Sequence, residues 1–344
     1  MIKYLVEYFR GNAKLLAEDG YFTDFISNGV STELCFVAFC AFTLIIIFAG
    51  VQNGIERVSK IMMPILIVLS VIIAVYSVTR PGALAGVKYF LVPNVKNFSW
   101  MTVVSAMGQM FYSLSIAMGI LITFGSYMKK DTAIEDSTRN VEVFDTGIAI
   151  MAGLMIIPAV FAFSGGDPDT LQAGPSLMFI TIPKVFQNMG FGTVIGIVFF
   201  LLVLFAAVTS SIALTESAVS TFEDELGWGR KKATVLVGVI MLVLGSLSSL
   251  GYGPLAGIKI IGMQFLDLFD FLTNSVMMPI AALLTSLLVS RVVGIDKIEE
   301  EIIHGESAFR RKKVFVVMIK YLCPVFAIII LLSSVANALG WIKM

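Results

Sequence analysis

Eight apolar runs, each close to or above the roughly 20 residues that cross a bilayer as a helix, are separated by charged or turn-rich loops. They lie at 34–51, 58–79, 100–127, 142–163, 191–223, 232–250, 260–290 and 314–341. In hydrocarbon a segment must satisfy its own backbone N–H and C=O groups, so each run predicts a helix. The fold class that follows is an all-α polytopic membrane protein. Hydrophobic residues make up 58% of the chain and charged residues 14%, well below the roughly 25% charged of soluble domains. Several runs exceed what a perpendicular crossing needs, which predicts tilt or irregularity.

Some chemistries are excluded early. Cys35, Cys40 and Cys323 lack CxxC spacing and sit in or beside apolar runs, so they read as small core residues. His304 is the only histidine, which removes His-based zinc sites and Ser-His-Asp catalysis. No basic stripe interleaved with aromatics points to nucleic acid. An intramembrane aspartyl protease needs two carboxylates at one depth. Asp145 reads as inner and Asp270 as outer, so no enzyme is expected.

The third run departs from a plain anchor. Gly108-Gln109-Met110-Phe111-Tyr112-Ser113-Leu114-Ser115-Ile116-Ala117-Met118-Gly119 places Gln, Ser, Gly and Tyr near its middle. This predicts a helix broken at the bilayer midplane, with its freed backbone facing a binding site.

Basic residues set the orientation. Arg57 and Lys60, then Lys129, Lys130 and Arg139, then Arg230, Lys231 and Lys232, then Arg291 through Lys313 fall in alternate loops, which are read as cytoplasmic. Eight spans then put both ends outside. A charged leading segment of 32 residues without a signal peptide is awkward there. An odd number of helices preceding residue 1 removes the difficulty; a true N-out protein is the alternative. In the outer loop 164–190, Ser164-Gly165-Gly166-Asp167-Pro168-Asp169 is turn-rich. Residues 177–186 are apolar but too short to span. They fit a re-entrant or capping hairpin, or an interfacial helix.

Charges inside spans are costly and mark candidate sites. They are Asp145, Glu216, Asp267 and Asp270. Ala206, Thr209 and Ser210 share one helical face and offer hydroxyls suited to a hard cation such as Na⁺; bonding back to carbonyls one turn earlier is the plain alternative. Asp145 is either a ligand or a helix-end carboxylate reaching water. Asp267 and Asp270 form either a gate or a solvated helix end. Glu223-Asp224-Glu225, near Arg230, reads on its own as a solvated face.

In order and spacing, several stretches resemble the neurotransmitter:sodium symporter family with its LeuT-like inverted-repeat fold. They are 108–115, Lys129-Lys130-Asp131, Ala173-Gly174-Pro175-Ser176 with 179–183, 206–211, 222–226 and 266–270. The resemblance implies transmembrane helices four to eleven, with the first three absent. Residues 1–32 would then be an extracellular segment and residues 33–344 a partial symporter domain in the cell membrane.

By position, the resemblance implies sodium ligands at Ser113 and Asp145, and a second sodium site at Ala206, Thr209 and Ser210. Tyr112 would be the lid over the substrate. Ser113, Ser115, Ile116, Ala117, Met118 and Leu214 would line the pocket, with gates at Asp270 (outer) and Asp224 (inner). Asp145 stands where the family usually has Asn, and Ala149 where chloride-dependent members have Ser. Chloride independence is therefore expected, the carboxylate supplying the balancing charge. Ala117 replaces a common Gly and should narrow the pocket. The function implied is sodium-coupled symport of a small amino acid or related substrate by alternating access; self-association is compatible with it. The alternative is a non-transporting membrane protein that partners or regulates another.

Overall fold

The computed structural model describes residues 1–166, 174–306 and 308–338. The turn-rich residues 167–169 and Ala173 lie outside the described residues. Three short helices come first, α1 (Ile2–Phe9), α2 (Ala13–Leu16) and α3 (Tyr21–Ser27). Next is α4 (Gly29–Phe48), opened by the Asn28 side chain accepting from Ser31 N, which satisfies a first-turn donor. A π turn, Val51–Glu56, leads into α5 (Arg57–Val78), followed by α6 (Ala83–Leu91). Helix α7 (Trp100–Ser113) begins with a reciprocal Ser99–Thr102 cap and is followed by α8 (Ile120–Ser126). Then come α9 (Ile134–Ser164), α10 (Ile182–Gln187), α11 (Gly192–Leu226) and α12 (Arg230–Leu250). Helix α13 (Phe265–Asp270), a π turn (Phe271–Met277) and α14 (Met278–Leu287) are followed by α15 (Ile295–Gly305). Last come α16 (Lys312–Val317), another π turn (Met318–Leu322) and α17 (Cys323–Ala338).

Among the described residues, seven continuous helical stretches are long and apolar enough to cross a membrane. They correspond to seven of the eight apolar runs. The eighth run, 100–127, is the one expected to be broken, and it is split into α7 and α8. Helix α9 starts at Ile134 rather than at 142, because a helix extends past its apolar part wherever polar residues tolerate the conformation.

The chain forms two compact units, Met1–Asn94 with Gly147–Lys259, and Val95–Thr146 with Ile260–Met344. In the first, α11 packs against α1, α4, α5, α10 and α12. Residues 1–32 contribute directly to its core: Tyr4 and Tyr8 are 1% and 2% exposed, and Tyr4 Oη donates to the Phe179 carbonyl at 2.8 Å. Gly196 allows this approach, since a Cβ there would lie 2.3 Å from the Tyr8 ring. The apolar segment at 177–186 is helical, half-buried at 177–181 and packed into the core beyond them. Pro183 follows the π turn Leu177–Thr181 within one continuous helical stretch, Leu177–Gln187, and Ile182, Val185 and Phe186 enter the core. Ser77 Oγ donates to the Met155 carbonyl at 2.7 Å, joining α5 to α9. In the second unit, α17 packs on α14 and α7.

Candidate functional site

The break in the third span is short and tightly defined. Helix α7 ends at Ser113 and α8 resumes at Ile120. Between them Ser115 (φ 54°), Ala117 (φ 63°) and Gly119 (φ 80°) take left-handed backbone conformations. Such angles cost a non-glycine residue roughly 1–2 kcal/mol each. The α-helical ladder gives way to Ser115 N→Tyr112 O at 3.0 Å and Ile116 N→Phe111 O at 3.1 Å. Backbone strain of this kind persists where surrounding structure demands it, and it clusters at binding sites.

Asp145 stands beside the break. Ser113 Oγ donates to Asp145 Oδ1 at 2.6 Å, a short charge-assisted bond. Asp145 is half-buried on α9, while Ser113 and Tyr112 are exposed, Tyr112 at 53%. Two oxygens of different helices thus meet where the helix is unwound, and oxygen is the ligand type that small hard cations take. Ser115, Ile116, Ala117 and Met118 lie in the unwound turn and are half-buried.

The other oxygen cluster lies on α11, in the first unit. Thr209 Oγ1 donates to the carbonyls of Phe205 (3.1 Å) and Ala206 (3.0 Å). This is the back-bonding weighed from sequence; it uses the proton and leaves the oxygen lone pairs as ligands. Ser211 turns the other way and shares a 3.1 Å hydrogen bond with the buried Thr43. Ser210 and Leu214 line a cavity of about 580 Å³, with Phe36, Phe39, Phe179 and Met241 among its apolar walls.

Asp270 is exposed at the end of α13, where the π turn begins, and Asn274 Nδ2 donates to its Oδ1 at 2.5 Å. Asp224 is exposed near the end of α11 and, among the described residues, makes no ion pair.

Glu216 is completely buried, and Arg230 holds it with both η nitrogens at 2.9 and 2.6 Å. The same guanidinium donates to the Ile47 carbonyl through Nε (3.1 Å) and Nη2 (3.0 Å). Glu216 is therefore a clamp joining α11, α12 and α4, not an ion ligand. Arg230 also lies 3.6 Å from Glu223. The charge sequence reasoning missed is Glu33, on α4, which accepts hydrogen bonds from Ser246 and Ser249 of α12. Its signal was a lone carboxylate one residue before the apolar run begins at 34.

Comparison with known proteins follows the same lines. Residues 3–341 match the model of the sodium:neurotransmitter symporter family. An uncharacterised sodium-dependent transporter of Bacillus subtilis, YhdH, is 32% identical over 97% of this chain and 74% of its own length. Uncharacterised sodium-dependent transporters of Methanocaldococcus jannaschii and Haemophilus influenzae are 30% and 31% identical over 75% and 84% of this chain. The matches span 52% and 62% of those relatives' lengths. The crystal structure of MhsT in complex with L-phenylalanine is similar with a TM-score of 0.83 and 33% identity, over 97% of this chain and 75% of that one.

Proposed function

The chain belongs to the sodium:neurotransmitter symporter family, and from that membership we propose that it carries out sodium-coupled symport of a small amino acid or related substrate by alternating access. The observation that carries the reading is the 2.6 Å Ser113–Asp145 contact beside the left-handed break. Unwound backbone at membrane depth is tolerated where it lines a cavity. In inverted-repeat transporters such breaks hold the ion and substrate.

In this reading Ser113 and Asp145 are ligands of one sodium ion, and Ala206, Thr209 and Ser210 supply part of a second site. Tyr112 covers the substrate, with Ser113, Ser115, Ile116 and Met118 contributing to its pocket. Asp270 and Asp224 belong to the outer and inner gates. The phenylalanine named with MhsT supports an amino acid as the substrate class. The Asp145 carboxylate brings a fixed negative charge to the first site, so chloride is not required.

The test uses proteoliposomes holding the protein as its gene encodes it. An inward sodium gradient should accumulate at least one labelled amino acid, equally well with gluconate in place of chloride. Lack of sodium-driven uptake of any proteinogenic amino acid or simple amine would sink the symport reading.

A further inference from the structure

At its N-terminal end, α9 is gripped by residues between α15 and α16. The Glu306 carboxylate accepts from Glu135 N (2.6 Å) and Asp136 N (3.4 Å), capping the first turn of α9. The Glu135 carboxylate answers in reverse, accepting from Arg310 N (2.9 Å) and Arg311 N (3.0 Å). Each acid thus holds the main chain that carries the other. The side chain of Glu135 is only 11% exposed. The backbones are pressed together as well: a Cβ on Gly305 would lie 2.5 Å from the Thr132 carbonyl oxygen. Two turns along α9, Arg311 Nη1 donates to both carboxylate oxygens of Glu142, at 3.1 and 2.9 Å.

Glu142 and Asp145 are three positions apart and share a face of α9. One strip of this helix is therefore held from below by Arg311 and from above by Ser113. From Glu135 to Asp145 the helix rises roughly 15 Å at 1.5 Å per residue, without a proline between them. A rigid rod of that length passes any change in height or rotation at its foot to the Asp145 carboxylate. The Arg311–Glu142 pair alone is half-exposed, and such surface pairs add little stability. What it adds is orientation. The carboxylate–backbone bonds are directional and charge-assisted.

We propose that Glu135, Glu306 and Arg311 are positioning residues for the first sodium site: they set the axial position and rotation of α9, and so the distance from Asp145 to the ion. This rests on the reading of Asp145 as a sodium ligand. Residues that orient a metal ligand typically cost 10- to 100-fold in ion affinity when lost.

The experiment measures sodium-driven uptake in proteoliposomes for the protein as its gene encodes it and for E306A, E135A, R311A, R311K and D145N. Sodium binding to the detergent-solubilised proteins is measured in parallel. The sodium concentration giving half-maximal uptake should rise roughly tenfold in E306A and E135A, with substrate KM at saturating sodium changed less than about twofold. R311A should show a smaller rise in the same direction, and R311K should recover it. Where a variant inserts poorly, its solubilised fraction is judged by sodium binding alone, against the same fold-change. An unchanged sodium dependence in E306A and E135A, alongside a changed one in D145N, overturns the proposal. So does a loss shared equally between sodium and substrate affinity. An unchanged D145N instead removes the sodium-site reading beneath it.

Discussion

Ser113 and Asp145 lie 32 positions apart in sequence and 2.6 Å apart in space, hydroxyl to carboxylate. Their contact ties the end of α7 to a long helix that continues unbroken past it. Replacing Asp145 by Asn keeps the shape and removes the charge. Since charge-assisted bonds are about twice as strong as neutral ones, D145N should raise the sodium requirement by about tenfold, equivalent to ~1.4 kcal/mol. It should also make uptake respond to chloride. The readout is uptake against sodium concentration in chloride and in gluconate; identical curves for D145N and wild type would contradict the assignment.

Ala117 holds a left-handed φ of 63°. Glycine adopts that conformation at little cost, so Ala117→Gly should raise the thermal midpoint of the detergent-solubilised protein, a gain of about 1 kcal/mol. The lost methyl should also admit bulkier substrates, read from competition by a series of amino acids. Ala117→Val should abolish folding or uptake, because a β-branched side chain is a severe misfit at positive φ.

Arg230 neutralises a fully buried carboxylate. Removing one partner of such a pair typically costs about 3–5 kcal/mol, whereas removing both can be nearly neutral. Arg230→Met should therefore lower the unfolding midpoint sharply, and adding Glu216→Gln should restore most of it. Equal loss in the single and double variants would argue against a stranded charge. Sodium affinity should be unaltered in the double variant, which separates this clamp from the ion site.

Glu7 joins α1 to the loop after it. Asn12 donates to it at 2.7 Å and Lys3 at 2.9 Å, and these bonds hold its carboxyl below the usual carboxylate value. A depressed pKa means the unfolded form takes up a proton first. The contribution is therefore complete above the unfolded value of about 4.3 and is lost as pH falls through the folded one. Hydrogen exchange should show α1 and α2 opening progressively as pH drops through that window, and Glu7→Gln should make the opening independent of pH.

Much of this architecture was legible because hydrocarbon permits few alternatives. Apolar length alone located the spans, and polar residues in the middle of one located its break. The foot of α9 was hidden: Glu135, Asp136 and Glu142 carry no hydropathy signal, and what holds them is a distant loop. The partner of Glu216 was equally hidden, because a tight turn at 227–229 folds Arg230 back over α11. The pairing of Ser113 with Asp145 came from resemblance, since no spacing rule links positions on two different helices.

The π turns at Phe271–Met277 and Met318–Leu322 have a consequence for how such chains change over generations. A π turn closes its hydrogen bonds one residue later than an α turn, so each amounts to a single inserted residue absorbed without loss of the helix. Wheel diagrams drawn through either stretch drift out of phase by one position, and the faces on its two sides must be plotted separately. A change of one residue in the length of 271–277 would therefore remodel the turn without losing the span, and would re-aim the helix that follows.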